Sequence, residues 1–531
     1  MKTGCGRVVV AVSLFAASHS GFGQVVAEKQ FARAEVISKG KAPTERVFSR
    51  TGGDQVSVSV EIFQKAADGS EIWMASPTGI VSGGEWITFE EVEEFVFPSR
   101  YGEPSIPAEV TPADPSVAWK TNDQSLYLPA HPAQFEDREL GRVLKLRPEI
   151  DGDGSLTIRA VLHQSALRGF SRQGTPISVE ETGKLIGRKK TEFVAENAQL
   201  KPVVIERTRE WLFVPDEKGR LEPREVKDTG IPKRSVGEVA VPDFAARLCH
   251  DTLPDLRLEI TAETLDDKPG SVPAKEVPTN SQIFLSSRLI EFQDEILPTP
   301  IPPVEAPLHA AVFTETEMQQ WIRAINQKRG VDLLSAPSMM LRSGLDGVVE
   351  VGREFAFPRE FDPPKIAARS DGRVFPATPA TPTEFATRTT GVRLNLQARL
   401  LQDGLIEIDL SPELAEQAGF FNFGGPVIMN EIRPGHRDRR IHITENRIEL
   451  PVFHRRSLDT TVRLRSGDAV LLGGLVRVDF QDVEDKLPVL GDLPLIGRVA
   501  RKQFVLQTRR QVYLLIKAEV VNAAGMPLTA K

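Results

Sequence analysis

The residues whose spacing comes nearest to a metal site are Asp151-Gly152-Asp153-Gly154-Ser155. Carboxylates alternating with glycine are typical of the first half of a calcium-binding loop. This segment lacks the third acidic position and the distal glutamate of an EF-hand. Its later counterpart, Gln402-Asp403-Gly404, has the form of a hairpin turn. We therefore predict a turn here, and no metal site.

No other arrangement of residues predicts catalysis or cofactor binding. The sequence contains no Gly-x-Ser-x-Gly elbow, Walker loop or dinucleotide fingerprint, and its eight histidines lack metal-ligand spacing. The acidic pairs Glu90-Glu91 and Glu93-Glu94 are interpreted as exposed polar positions. The basic stretch from Arg433 to Arg456 is interpreted as a solvated strand face, with contact to anionic lipid or a lumenal ring of charge as the alternative. We expect a protein that is not an enzyme.

Length and composition favour an exported protein of several domains. The 531 residues are 40% hydrophobic and 26% charged, and the formal net charge of −7 argues against nucleic acid as the main partner. Lys2 and Arg7, an apolar core at 8–17 and Gly21-Phe22-Gly23 predict a signal peptide over residues 1–23. The mature chain would keep only Cys249, which we interpret as a small buried hydrophobe. Residues 24–50 and 523–531 are expected to be poorly ordered.

The chain contains an internal duplication. Residues 76–98 align without a gap with 336–358, and Gly141–Leu146 aligns with Gly391–Leu396. Matching glycines and prolines follow at Gly154 and Gly404, Gly169 and Gly419, and Pro202 and Pro451. Because glycine and proline fix turns, bulges and strand ends, their agreement indicates a shared fold. We interpret 51–270 as a degenerate copy of 282–522, joined to it by a linker at 271–281.

Local patterns predict a mainly β fold with few helices (α+β). Apolar residues alternate with polar ones at 394–396, 406–410 and 462–464, and Asp403-Gly404 and Ser466-Gly467-Asp468 are predicted turns. One helix is predicted where Thr314 and Glu317 form a capping box, followed by Met318, Trp321, Ile322 and Ile325 on one face. The proline-rich residues 297–303 are expected to form a stiff loop between the copies.

The C-terminal elements together form a recognisable order. Residues 487–498, Leu-Pro-Val-Leu-Gly-Asp-Leu-Pro-Leu-Ile-Gly-Arg, precede an apolar strand at 512–516. They follow Gly473-Gly474-Leu475, which is interpreted as a plain turn or as a tight bend at a barrel corner. With the strand at 283–292, the helix, the strand at 349–352 and Thr390-Gly391-Val392, this order resembles the secretins. Secretins are ring-forming outer-membrane channels of type II and type III secretion and of type IV pilus systems. The signature positions are Gly473, Gly474, Leu475, Pro488, Leu490, Gly491, Asp492, Pro494 and Gly497.

The resemblance implies a function and a set of partners. Each subunit would contribute strands to a homo-oligomeric β-barrel in the outer membrane and would engage secretion or pilus machinery, with the first copy as a periplasmic collar. The family's gate hairpin corresponds to about 358–390, with Gly391 beside it; the alternative is an ordinary strand-start glycine. Secretins usually carry small α/β domains where this chain has its first copy. A non-channel periplasmic scaffold associated with such machinery therefore remains the second hypothesis.

Overall fold

The computed structural model shows a fold built almost entirely of strands. It describes residues 28–37, 55–65, 69–102, 111–112, 124–127, 131–173, 177–179, 193–195, 199–230, 239–240, 249–265, 282–296, 310–327, 330–366, 369–370, 377–402, 404–424, 427–431, 439–486, 501–522 and 524–528. The predicted mainly β fold is confirmed. Among the described residues, no helix has the length and apolar character needed to cross a membrane.

The secondary structure elements follow in chain order. The elements before residue 270 are β1 Glu28–Ile37, β2 Gln55–Lys65, β3 Glu71–Ala75, β4 Thr78–Ser82, β5 Ile87–Gly102, β6 Thr111–Pro112, β7 Gln124–Tyr127, β8 His131–Ile150, β9 Leu156–Gln173, β10 Ile177–Val179, β11 Phe193–Ala195, β12 Gln199–Pro215, β13 Leu221–Asp228, β14 Val239–Ala240 and β15 Leu256–Leu265. The later elements are β16 Gln282–Ile296, β17 Ala311–Phe313, α1 Glu315–Ile325, β18 Val331–Ser335, β19 Ser338–Arg342, β20 Asp346–Asp362, β21 Lys365–Ile366, β22 Arg369–Ser370, β23 Ala377–Thr378, β24 Thr381–Leu400, β25 Ile406–Asn422, β26 Val427–Glu431, β27 Arg439–Thr444, β28 Glu449–Leu464, β29 Ala469–Lys486 and β30 Arg501–Val521.

Two large sheets pack face to face. Sheet A has the order β1-β20-β24-β25-β28-β5-β8-β9-β12-β13, and sheet B has the order β15-β2-β4-β29-β30-β16-β18. Alternate residues of facing strands, such as Ile406 and Ile408 of sheet A and Ile516 and Val520 of sheet B, are fully buried in one core between the sheets. Each such side chain contributes about 1.5–3 kcal/mol through burial of apolar surface. The residues between them on each strand of sheet A therefore face away from the core.

The two copies pair their strands in matching registers. In the first repeat (described residues from 55 to 265), Val92 of β5 lies opposite Gly141 of β8. In the second repeat (described residues from 282 to 521), Gly352 of β20 lies opposite Gly391 of β24. Gly352 lies 260 residues after Val92, and Gly391 lies 250 residues after Gly141. These are the offsets by which the two copies align in the sequence. The strand pairs β8–β9 and β24–β25 are related in the same way.

The match includes irregular positions. In the first repeat, β9 has a β-bulge next to Gly169, which lies opposite Val203 of β12. In the second repeat, β25 has a β-bulge next to Gly419, which lies opposite Val452 of β28. In sheet B, β15 pairs with β2 as β30 pairs with β16. The first repeat therefore also contains a counterpart of the C-terminal strand. The exception is β13. It follows β12 in the chain as β29 follows β28, but β13 pairs with β12 in sheet A, whereas β29 belongs to sheet B.

The first repeat does not form a separate collar. Strands β5, β8, β9 and β12 continue sheet A beyond β28, so the eight main strands of the two repeats form one array. The apolar core between the sheets is likewise shared by both repeats. The expected collar is therefore wrong, because backbone pairing places the copies side by side.

The predicted helix α1 is confirmed with its cap. The Thr314 backbone N–H donates to Glu317 Oε2 at 2.9 Å, and the Glu317 N–H donates to Thr314 Oγ1 at 3.5 Å. Met318, Ile322 and Ile325 are buried, and they pack in a cluster that includes apolar side chains of β29 and β30. The capping box therefore fixes where the helix begins, and the 3.6-residue pattern fixes the face that it buries.

The predicted turns are also confirmed where the structure describes them. The Asp151 N–H donates to Ser155 O at 2.9 Å, which closes the β8–β9 hairpin. Gly404, with φ +83°, donates to Leu401 O at 3.1 Å between β24 and β25. Gly467 lies in the turn between β28 and β29. In the described part of the chain, no group of three or more His, Cys, Asp or Glu side chains is arranged to hold a metal ion.

Both chain ends differ from expectation. Residues 28–37, inside the segment expected to be poorly ordered, form β1 and pair with β20. Near the C-terminus, the Leu528 N–H donates to Val520 O at 2.9 Å, so residues 524–528 fold back on β30. Both segments gain order from backbone pairing with a distant strand, which their own composition does not reveal. The predicted signal peptide at 1–23, the predicted linker at 271–281 and the predicted loop at 297–303 lie outside the described residues.

Candidate assembly interface

The two repeats meet along β28 and β5, and this junction carries a dense group of charges. The strands are antiparallel, with Val452 opposite Phe95 and Asp459 opposite Thr88. Sheet B is also continuous here, since Thr78 of β4 bridges to Gly473 of β29. The two repeats are therefore joined in both sheets.

On the face of sheet A that points away from the core, Arg455 connects the repeats. Its guanidinium lies 3.0 Å from Glu90 Oε2, 3.2 Å from Glu94 Oε1 and 2.7 Å from Glu139 Oε1. Only 15% of the Arg455 side chain is exposed. The Ser457 hydroxyl donates to Glu90 Oε2 at 3.0 Å. One arginine of β28 thus binds three carboxylates of β5 and β8.

Arg388 of β24 extends this network. Its Nε donates to Glu94 Oε2 at 2.8 Å, and its Nη2 donates to Glu413 Oε1 at 3.0 Å. Burial raises the pKa of Glu94 even though Arg388 and Arg455 lower it. A largely buried carboxylate of this kind needs its arginine partners, because burial without a counter-charge costs several kcal/mol.

The core-facing side of the same junction is also polar. His454 Nδ1 lies 3.4 Å from Glu93 Oε1, and Arg456 lies 3.4 Å from Glu416 Oε2. Burial, with a smaller contribution from the Glu91 carboxylate, raises the pKa of Glu93 to about 7. A cavity of about 830 Å³ borders Glu93, His454 and Arg456. Because ionisable groups line both faces at this level, neither face of sheet A offers the apolar surface that lipid hydrocarbon requires.

Glu93 predicts a pH dependence of stability. Between its ordinary pKa of 4.5 and about 7, the folded chain holds a proton that the unfolded chain has released. The free energy of unfolding should therefore fall as pH rises through this window. In Glu93→Gln this part of the decline should be absent when urea unfolding is compared at pH 5 and pH 8. Glu136→Gln, at an exposed position of β8, is the matched control, and an unchanged pH dependence in Glu93→Gln would contradict the prediction.

Two sequence-based interpretations are wrong at this junction. The acidic pairs from Glu90 to Glu94 are not simply exposed polar positions, and His454–Arg456 is not a solvated strand face. Arg456 is 5% exposed. The sequence held one signal for this junction: four acidic residues lie close together at 90–94, and His454, Arg455 and Arg456 follow one another at 454–456. Residues 432–438 of the basic stretch lie outside the described residues.

Gly391 lies at a close approach of two backbones in sheet A. Its φ is +129°, and a Cβ there would lie 2.4 Å from the Val351 carbonyl oxygen and 2.6 Å from Gly352 Cα. Gly141, its counterpart, has the same constraint beside Glu91 O. Since β24 begins at Thr381, the strand-start interpretation of Gly391 is wrong. The hairpin connection between β20 and β24 is confined to 363–380.

Gly473 lies inside β29 rather than in a turn. A register shift between Gly473 and Leu475 forms a β-bulge against β30, and Leu475 lies opposite Val512. The plain-turn interpretation of Gly473-Gly474 is therefore wrong, because the strand continues through Gly474. The other interpretation, a tight bend at a barrel corner, stays a prediction. Gly473 and Val392, the neighbour of Gly391, border the same apolar space between the sheets. The other signature residues, which lie outside the described residues, are Pro488, Leu490, Gly491, Asp492, Pro494 and Gly497.

The C-terminal part of the chain matches a known family. Residues 324–522 match the secretin family, described as bacterial type II and III secretion system protein. These residues form a secretin domain. The match begins in the last turn of α1 and includes Gly391 and the 487–498 signature.

The secretin domain has relatives in secretion and in phage export. Secretin PulD of Klebsiella pneumoniae is 35% identical over 216 residues, which are 40% of this chain and 27% of that protein. Secretin XcpQ of Pseudomonas aeruginosa is 23% identical over 206 residues, 39% of this chain and 27% of that protein. The virion export protein of Escherichia phage If1 is 26% identical over 202 residues, 38% of this chain and 39% of that protein. The chain thus spans about a quarter to two fifths of the length of these relatives.

A solved structure is also similar over part of the chain. The secretin InvG of the Salmonella SPI-1 type III secretion injectisome matches 49% of this chain and 68% of its own, at 17% identity and a TM-score of 0.23.

Proposed function

We propose that this chain is a subunit of a secretin-type outer-membrane channel for protein secretion or pilus passage. The match of residues 324–522 to the secretin family carries the proposal. Relatives whose names describe secretins or virion export support the same class of activity. The role is the passage of a macromolecule, not a reaction, and the partners are further copies of this chain and the machinery of its secretion or pilus system.

The open form of sheet A supports a ring. In the described part of the chain, sheet A ends at β1 and β13 and does not close on itself. Strand edges are sites of further pairing, and closure into a ring of subunits would satisfy them. The face turned from the core carries Arg399, which is 3.0 Å from Asp409, and Arg463, which is 3.2 Å from Glu407. Such a face suits an aqueous lumen.

The division of the chain is part of the proposal. Residues 1–23 would be removed on export, 51–270 and 282–522 would form the two repeats, and 271–281 would link them. We place the gate at the connection between β20 and β24. Gly391 would allow β24 to approach β20 closely beside that connection. This close approach is the reason for assigning Gly391 to the gate.

One observation favours the second candidate, a periplasmic scaffold. The β28–β5 junction is charged on both faces, so this level of sheet A offers no apolar surface for lipid. A protein that associates with a secretion complex without crossing the membrane would have the same surface.

Imaging of the full-length protein tests the two functions. The protein would be extracted from membranes in mild detergent, heated to test ring stability, and viewed by negative stain. We expect heat-resistant rings with a stain-filled lumen in the outer-membrane fraction. A soluble monomer or small oligomer that is absent from that fraction would overturn the channel proposal and favour the scaffold.

A further inference from the structure

We propose that one chain fills two adjacent positions of the ring, and that neighbouring chains join through β12 of one and β20 of the next. The inference rests on the proposed ring and specifies how it closes. The partner is a second copy of this chain. The junction between β28 and β5 inside the chain supplies the geometry.

The equivalence of the repeats carries the first step. The main strands of the two repeats correspond in order and register, so β28 and β12 are equivalent, as are β5 and β20. Inside the chain, β28 of the second repeat pairs with β5 of the first. The remaining equivalent strands, β20 and β12, lie at the two ends of the eight-strand array. If β12 of one chain pairs with β20 of the next as β28 pairs with β5, every junction around the assembly has the same geometry. A heterologous interface that is repeated in this way can close into a ring.

The register between chains follows by position. β12 is related to β28 by an offset of 249, and β20 to β5 by an offset of 260. Ser457 lies opposite Glu90 in the internal junction. Thr208 is therefore expected opposite Glu350 of the neighbouring chain. By the same relation, Val203 is expected opposite Phe355.

Both edges are covered within the single chain. β1 pairs with β20 from Glu28 opposite Phe355 to Ile37 opposite Asp346. On the other edge, the Thr208 N–H donates to Thr229 Oγ1 at 2.9 Å, and the Thr229 N–H donates to Thr208 O at 3.0 Å. Covered edges resist uncontrolled pairing. Assembly must therefore release β1, Thr229 and the adjoining end of β13, where Asp228 and Lys227 lie opposite Arg209 and Glu210. Removal of residues 24–50 should speed ring formation because it removes β1.

The two junctions differ in charge. Arg455, which lies between Glu90 and Glu94, corresponds to Glu206. In the junction between chains, Glu206 would lie between Glu350 and Glu354. Like charges at neighbouring cross-strand positions are destabilising. The junction inside the chain is therefore the stronger one, and the junction between chains is the one that heat or denaturant separates first.

Disulfide trapping tests the register. Thr208→Cys and Glu350→Cys, combined in a Cys249→Ala background, should give a covalent ladder of chains when rings are oxidised and run without reductant. The same-chain pair Ser457→Cys and Glu90→Cys should cross-link without a ladder, which shows that the background folds. Thr208→Cys with Glu354→Cys is displaced by about 13 Å along the strand and should not cross-link, since a disulfide spans at most about 7 Å between Cα atoms.

A charge reversal tests the chemistry. Glu206→Arg recreates the position of Arg455 and should raise the temperature at which rings separate into chains. Its present contact with Arg138, at 3.3 Å, is half-exposed, so the single chain should lose little. Glu217→Arg, in the turn between β12 and β13, makes the same charge change and should leave ring stability unchanged.

The outcomes separate this inference from the proposed function. Rings that form but give no ladder with the Thr208 and Glu350 pair, or give one only with the displaced pair, would overturn the inference and leave the channel intact. Absence of rings in the unmodified protein would overturn both. A ladder together with a stabilising Glu206→Arg would establish the chain as a double unit.

Discussion

Arg455→Met is expected to lower the free energy of unfolding by about 2–4 kcal/mol. The change removes the positive charge between Glu90, Glu94 and Glu139 while their carboxylates remain close together. Loss of one partner from a buried ion pair costs about 3–5 kcal/mol, and the expectation is somewhat lower because Glu139 is 56% exposed. Urea unfolding at pH 8 measures the difference.

The control for Arg455 is an exposed arginine of the same region. Arg447 lies 2.8 Å from Glu445, but both side chains are mostly exposed. Arg447→Met should therefore change stability by less than about 1 kcal/mol. Equal effects of the two substitutions would show that the β28–β5 network contributes nothing particular. A double-mutant cycle of Arg455→Met with Glu90→Gln would measure the coupling directly.

Gly391→Ala is expected to destabilise the second repeat by about 2–5 kcal/mol. The new Cβ would lie 2.4 Å from the Val351 carbonyl oxygen, and φ of +129° is a conformation that L residues rarely adopt. Backbone strain accounts for about 1–3 kcal/mol and overpacking for a similar amount. Because the obstructing atom belongs to the backbone of a paired strand, a simple side-chain rotation cannot relieve the contact.

Three glycines provide matched controls for Gly391. Gly344 also has positive φ, but a Cβ added there would meet no atom within 4 Å, so Gly344→Ala should show the conformational cost alone. Gly152→Ala has neither constraint and should be near neutral. Gly141→Ala repeats the clash in the first repeat. If Gly391 has a role in gating, only its substitution should make rings leaky to small solutes; equal leakage in Gly141→Ala rings would remove that role.

The amino-acid sequence by itself determined the local elements and the duplication. The capping box at Thr314 and the 3.6-residue pattern after it predicted α1, and alternation with glycine turns predicted β24, β25 and β28. These features depend on neighbours within a few residues, so one chain segment contains the whole signal. The repeated glycines also predicted matching positions in the two repeats, since each fixes a turn, a bulge or a close backbone approach.

Only the tertiary structure decided how distant strands meet. Arg455 and Glu90 are 365 positions apart, and each alone resembles a solvent-exposed residue of a polar strand. Pairing of β28 with β5 makes them a shielded ion pair, and it also places the first repeat beside the second in one sheet. The order of β1 and the bulge at Gly473 likewise depend on pairing with another strand, β20 for β1 and β30 for Gly473. Strand pairing is a non-local interaction, and its register cannot be read from either strand without its partner.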